Sequence, residues 1–176
     1  MRILITGPQG SGKTIQSRVL SERFKLCLIK TGDLVRQKAL EHSDAGRDLR
    51  LALENGKLGD DNLIAKLVET ELNSKKECHD NFVMDGYPRR LSQLGFFDPK
   101  FDKVFYLDIT DKLATERMLK RGRVDDTLDV IKQRLKIYRE ETEQVIKHYE
   151  KLGILFRIDG SKSVIEVTEN IEQELR

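Results

Sequence analysis

The sequence predicts an α/β fold: a five-stranded parallel sheet flanked by helices, in a single domain. Two observations predict it. Five short apolar runs alternate with segments of helical period along 176 residues, and strands that alternate with helices build a parallel sheet covered on both faces. The first run and the first helical segment are joined by Gly7-Pro8-Gln9-Gly10-Ser11-Gly12-Lys13-Thr14, so strand, glycine turn and helix follow one another directly. Ligands of such sheets sit at the carboxyl ends of the strands. The loops 7–14, 31–36 and 85–93 are therefore where chemistry is expected.

Residues 2–6 are apolar and β-branched and read as a buried strand. Ile15, Val19, Leu20 and Phe24 then recur at helical spacing. A short strand at 27–30 leads into a helix from Thr31-Gly32-Asp33 to about His42. A second short helix covers about 45–53 and is stopped by Asn55-Gly56. Asp60 or Asp61 caps the next helix, which carries Leu63, Ile64, Leu67, Val68 and Leu72 on one face. Strands follow at 82–84 and 104–107, then a helix over 111–121 that breaks at Gly122. A long helix begins near Thr127, with Leu128, Ile131, Leu135, Tyr138, Val145, Ile146 and Tyr149 in helical register. A strand at 154–158 and a helix over 164–175 close the chain.

Composition excludes several classes. Charged residues make up 35% of the chain, yet the net charge is only +2, so neither a basic tail nor a nucleic-acid stripe is implied. No apolar stretch approaches the roughly 20 residues that cross a bilayer. The apolar residues 3–5 are cut short by the glycine turn, so no signal peptide and no membrane partner are expected, and the default location is cytoplasmic. Cys27 and Cys78 are isolated in sequence, which indicates neither a disulfide framework nor a Cys-x-x-Cys metal site. His42, His79 and His148 lie far apart, and no acid–base dyad or nucleophile triad is visible.

The stretch 7–14 fits G-x-x-x-x-G-K-[ST], a phosphate-binding loop. Glycines let backbone N–H groups approach phosphate closely, and the following helix adds its partial positive charge. Lys13 can reach terminal phosphates and the Thr14 hydroxyl can ligate magnesium. Asp85, at the end of an apolar strand, either orients that metal or caps the turn at Gly86. Arg36, Arg89, Arg117, Arg121, Arg123 and Arg134 fall near loop ends or beside Gly122. A guanidinium meets phosphate oxygens bidentately and stays charged. Arg117 and Arg121 share a helix face, where they repel unless an anion lies between them. Asp125-Asp126 either caps the long helix or holds these arginines in place.

Together these stretches resemble the nucleoside monophosphate kinase family, and the adenylate kinases within it. The resemblance spans essentially the whole chain. It rests on the glycine loop, Thr31-Gly32-Asp33-Leu34-Val35-Arg36, Asn55-Gly56-Lys57-Leu58, Met84-Asp85-Gly86-Tyr87-Pro88-Arg89 with Gln93, and Gly122-Arg123-Val124-Asp125-Asp126-Thr127 leading to Arg134. It implies a P-loop kinase fold with an AMP-binding subdomain over 31–60 and a short lid over 122–126. The implied reaction is reversible, magnesium-dependent transfer of the ATP terminal phosphoryl group to AMP, giving two ADP. Gly10, Ser11, Gly12, Lys13, Thr14 and Ile15 would hold ATP phosphates, with Arg117 and Arg121 meeting ATP and Lys162 beside its adenine. Thr31, Arg36, Lys57, Leu58 and Gly59 would line the AMP site, with Gly86, Tyr87, Pro88, Arg89 and Gln93. Arg36 and Arg89 would grip the AMP phosphate, and Gln93 would read the adenine edge. Arg123 and Arg134 would bridge the phosphates and join Lys13 and Arg89 in catalysis. Thr14 would hold magnesium directly and Asp85 through water. A monomer is expected, because a lid and a mobile acceptor subdomain leave little free surface.

Three departures from the family pattern stand out. Only Gly122 separates Arg121 from Arg123, so the lid is very short. Leu58-Gly59-Asp60-Asp61 replaces the usual Leu-Val-x-Asp, and Gly59 loses a small apolar contact. Tyr87 replaces the commoner Phe. The nearest rival is a UMP/CMP kinase, in which Ala is more frequent than Thr at the place of Thr31. A regulatory nucleotide-binding module is disfavoured by the joint presence of Lys13, Asp85, Arg89, Arg123 and Arg134, and no Asn-Lys-x-Asp stretch supports a GTPase. The compressed lid carries no Cys/His set, so elemental analysis of the purified protein should find no stoichiometric zinc; one zinc per chain would overturn this.

Overall fold

Strand β1 (Arg2–Thr6) is the middle strand of the computed structural model, which describes residues 1–74, 76–124 and 126–176. It is flanked by β3 (Phe82–Asp85) and β4 (Lys103–Asp108), with β2 (Cys27–Lys30) and β5 (Leu155–Asp159) at the edges. The order is β2-β3-β1-β4-β5 and every pairing is parallel. The chain crosses from one side of β1 to the other between β3 and β4. That switch point opens a crevice at the carboxyl end of β1, where the glycine loop lies.

Alternation along β1 sends its side chains to two cores. Ile3 and Ile5 face one side, where they meet Leu20 of α1 (Lys13–Phe24) and Val167 and Ile171 of α9 (Val164–Leu175). Leu4 faces the other. There it joins Val35 of α2 (Thr31–Ala39), Leu49 of α3 (Asp44–Glu54), Val68 of α4 (Asp61–Asn73) and Tyr149 of α8 (Glu143–Lys151). A fully buried Leu or Ile contributes about 1.5–3 kcal/mol of transfer free energy, so both faces anchor the sheet. A third cluster ties α6 (Asp111–Arg121) to α7 (Leu128–Ile137) through Ala114, Met118, Ile131 and Leu135. Between β3 and β4, α5 (Leu91–Leu94) is a single turn that the periodicity did not reveal.

Helix starts fall where the capping residues place them. Asp60 Oδ1 accepts from Leu63 N at 2.8 Å, and the Ser43, Thr110 and Thr127 side chains do the same for α3, α6 and α7. Two extents differ from expectation. Helix α2 stops at Ala39 rather than near His42, because the Arg50 guanidinium donates to the Ala39 and Glu41 carbonyls and closes the end. The long helix after Thr127 is not one α-helix: residues Tyr138–Thr142 form a π turn between α7 and α8. The added residue turns Thr142 inward, and its hydroxyl donates to Arg89 O at 3.0 Å. A polar side chain at a buried slot has thereby found its acceptor in the site loop.

Cys27 and Cys78 form a disulfide, which corrects the expectation drawn from their isolation. They are 51 residues apart, and tertiary structure alone makes them neighbours. Cys27 lies opposite Phe82 in the β2–β3 register, and a 3₁₀ turn at Lys76–Cys78 folds Cys78 back over the strand end, with the Cα atoms 5.3 Å apart. The closed loop holds α2, α3 and α4. Chain entropy makes a loop of this size worth about 4 kcal/mol as an upper figure. Reduction, or Cys27→Ser, should lower unfolding stability by about 2–4 kcal/mol in a denaturant titration, and an unreduced, denatured sample should show no free thiol.

Candidate active site

The glycine loop owes its shape to two positions. Gly12 caps α1 in a left-handed conformation (φ 95°) and, having no side chain, makes no side-chain cap to that first turn. Gly10 (φ 85°) lies so close to α6 that a Cβ there would sit 2.7 Å from Ala114 O. A glycine turn running into a helix N-terminus has the form of an anion site. Lys13 Nζ bridges the Gly7 and Pro8 carbonyls, at 2.7 Å each. Burial pulls its pKa down to about 8; Asp85 opposes the shift, while Arg89 and Arg121 add to it. Ser11 Oγ is buried with no hydrogen-bond partner among the described residues.

Thr14 and Asp85 come from different strand ends and meet, with Thr14 Oγ1 donating to Asp85 Oδ2 at 2.5 Å. A hydroxyl and a carboxylate are hard oxygen donors of the kind magnesium takes from a protein one or two at a time. These residues fit that ion.

A cleft of about 720 Å³ runs from this loop to a second, partly apolar end. Val35, Leu53, Leu58 and Ile64 line that end, together with Lys57 and the buried Thr31. The contact that the sequence assigned as lost at Gly59 is supplied by α3, since a Cβ on Gly59 would meet Leu49 Cδ2 at 2.5 Å. Gln93, 1% exposed, closes the pocket. Its Oε1 accepts from Arg89 N at 2.7 Å and its Nε2 donates to Asp61 Oδ1 at 3.1 Å. Arg89 Nε donates to Gly86 O at 3.2 Å. Burial lowers the Arg89 pKa; Asp85 opposes that, and Arg134 and Arg36 reinforce it. Arg36 is gripped by Asp33, which also holds Lys30. Burial works against ionisation of Asp33, but these two cations keep its pKa below the usual carboxylate value.

Between the two ends stand the remaining arginines. Asp126, whose side chain is 0% exposed, accepts from Arg121 Nε and Nη2 (2.9 and 2.8 Å), from Arg134 Nη1 (3.0 Å) and from Arg123 N (3.3 Å). It therefore holds the arginines, while Thr127 supplies the helix cap. Asp125, its neighbour in the sequence expectation, lies outside the described residues. Arg117 turns to the chain after β5, donating to Gly160 O at 2.8 Å and Ser161 O at 3.2 Å, and still borders the cleft near Lys162 and Ile15.

The family model for adenylate kinase matches residues 5–154. The chain belongs to the adenylate kinase family. It is 38% identical to the adenylate kinase of Nocardia farcinica over 96% of each chain. It is 36% identical to that of Prochlorococcus marinus, over 99% of this chain and 98% of the relative. It is also 36% identical to that of Corynebacterium aurimucosum, over 99% of each. Its enzyme class is accordingly that of a nucleoside monophosphate kinase, a phosphotransferase.

Most residues that the family resemblance singled out border one cleft. Two do not. Tyr87 is 0% exposed, and its hydroxyl donates to Gln93 O (2.8 Å) and Phe97 O (2.7 Å), so it braces the loop from behind; Pro88 is also buried away from the cleft. Several cleft residues lie outside that set, Gln16 among them. Gln16 donates to Val164 O at 3.0 Å and accepts from Thr168 at 2.8 Å, tying α1 to α9. A polar residue in an amphipathic helix carries no signal for that role.

The Lys13 environment gives a pH test. A bound polyanion raises the pKa from about 8, so affinity is full below pH 8 and falls as pH rises through it. Titration with inorganic tripolyphosphate and a chelator, in two buffers of different ionisation enthalpy, should report about half a proton more uptake at pH 8 for the parent chain than for Lys13→Met, the ligand's own proton being common to both; equal values would remove Lys13 from the linkage.

Proposed function

We propose that the chain catalyses reversible transfer of the ATP terminal phosphoryl group to AMP, giving two ADP. One observation carries this reading: a single cleft has an anion-holding glycine loop at one end, an arginine-lined pocket with an amide reader at the other, and an aspartate-ordered set of arginines between them. In this reading the loop N–H groups, Ser11 and Lys13 hold the ATP phosphates, and Lys162 lies beside the donor base. Arg36 and Arg89 hold the AMP phosphate, while Thr31, Lys57, Leu58 and Gly59 form the pocket for its nucleoside. An AMP phosphate oxygen attacks the terminal phosphorus, the bond to the bridging oxygen breaks, and ADP leaves on both sides. The attacking oxygen is already anionic, so no general base is required; alignment and charge neutralisation carry the step. Arg123 and Arg134 supply charge where it develops in the transition state. Thr14 would hold magnesium with the triphosphate, with Asp85 acting through water, and the ion would supply further neutralisation of phosphate charge.

The same proposal takes residues 31–60 as a mobile acceptor subdomain and 122–126 as a short lid, in a cytoplasmic monomer. Helices α2 and α3 pack on each other more than on the strands, which supports movement of that subdomain. Among the described residues no helix is long and apolar enough to cross a membrane.

A coupled assay with ATP and each of AMP, UMP, CMP and GMP tests the reading. AMP should support ADP formation best. Activity with UMP but not AMP would select the pyrimidine kinase instead, and inertness toward all four would leave a binding module. Arg89→Ala should cut kcat by about 100-fold or more and shift unfolding stability by less than about 1 kcal/mol. An unchanged rate would remove Arg89 from the site.

A further inference from the structure

We infer that Asp61, which does not itself line the cleft, is a positioning residue that sets which nucleobase the acceptor pocket accepts, by fixing the sense of the Gln93 side-chain amide. This deepens the proposed function and rests on Gln93 being the group that reads the acceptor base.

The two ends of that amide are keyed by groups of opposite character. A backbone N–H can only donate, and Arg89 N points at Gln93 Oε1 at 2.7 Å, with Arg90 N adding a longer contact at 3.4 Å. A carboxylate can only accept, and Asp61 Oδ1 receives Gln93 Nε2 at 3.1 Å. Turning the amide over would set N–H against N–H at one end and oxygen against oxygen at the other. In a 1%-exposed side chain neither clash is relieved by water. What the locked amide still offers the cleft is the second N–H of Nε2, because both lone pairs of Oε1 are engaged.

A free N–H asks for an acceptor. The ring nitrogen N1 of adenine is a bare acceptor, whereas N1 of guanine and N3 of uracil carry hydrogens and would face donor to donor. Discrimination by an unpaired buried polar group is far stronger than discrimination by size. Asp61 is in turn held in place: it opens α4, accepts from the Ser92 hydroxyl and pairs with Arg90 at 3.3 Å, and Arg90 also reaches Glu141 of the π turn. Loss of the carboxylate removes one of the two penalties against turning. The amide then presents Oε1 for part of the time, which suits guanine.

The test compares Asp61→Ala, Asp61→Asn and Gln93→Ala with the parent chain. Steady-state kinetics with saturating ATP and equilibrium titrations with AMP or GMP alone supply the readouts. Asp61→Ala should raise the KM and Kd for AMP and lower the AMP-to-GMP ratio of kcat/KM by about tenfold or more, with kcat at saturating AMP changed less than about threefold. Asp61→Asn keeps an acceptor oxygen for Nε2 and should restore most of the ratio. A ratio unchanged within about threefold in Asp61→Ala, while Gln93→Ala collapses it, would overturn the role of Asp61 and leave the base-reading role of Gln93 standing. A ratio unchanged in Gln93→Ala as well would overturn both. Should Asp61→Ala fail to fold, Asp61→Glu displaces the carboxylate by one methylene and is judged by the same ratio.

Discussion

Positive charge confined in a cleft is the constraint on which the rest of this structure depends. Lys13, Arg36, Arg89, Arg121, Arg123 and Arg134 border one space, against only a few carboxylates. Burial already pulls the pKa values of Lys13 and Arg89 down, and the other cations add to the shift. Like charges at this density repel, and several of them are restrained from behind. Asp126 orders Arg121 and Arg134, Asp33 grips Arg36, and loop carbonyls take the Lys13 ammonium. An anionic ligand would relieve that repulsion. Cations that are confined and restrained in this way differ from those of a surface that is merely basic.

The sheet makes that concentration possible. A parallel sheet brings the carboxyl ends of all its strands to one edge, and the ends of β1, β2 and β3 here lead directly to residues that border the cleft. Central β1 delivers the glycine loop, β3 delivers Asp85 beside Thr14, and β2 runs straight into α2 with Thr31 and Arg36. The two apolar cores hold these ends rigid, whereas the third, smaller cluster under α6 and α7 supports the arginines from outside the sheet. Positioning by rigid strands at one end and by a separate helix pair at the other suits a reaction whose catalysis is mostly alignment.

The acceptor end combines shape with hydrogen-bond polarity. Leu49 fills the space beside Gly59, Tyr87 supports the loop from the core, and Thr142 of the π turn takes the Arg89 carbonyl. Each contact comes from a different element, and none faces the cleft itself. The disulfide joins the two ends of the chain segment that carries most of this pocket. A site can thus be specified as much by what stands behind its walls as by the walls.

Local rules made much of this protein legible from its residues. The five strands, the glycine loop, the capped start of α4 and the stop at Gly122 follow from periodicity, φ preference and capping, all of which act within a few residues. The family resemblance extended that to the chemistry of the cleft. Tertiary structure alone decided the Cys27–Cys78 bond, the π turn at Tyr138–Thr142, the withdrawal of Tyr87 into the core and the keying of Gln93 by Asp61. In each of these the partners lie on separate elements or the geometry depends on one. A hydrogen bond or disulfide between distant residues is chosen by where the fold sets their backbones, and a linear pattern carries no record of that distance.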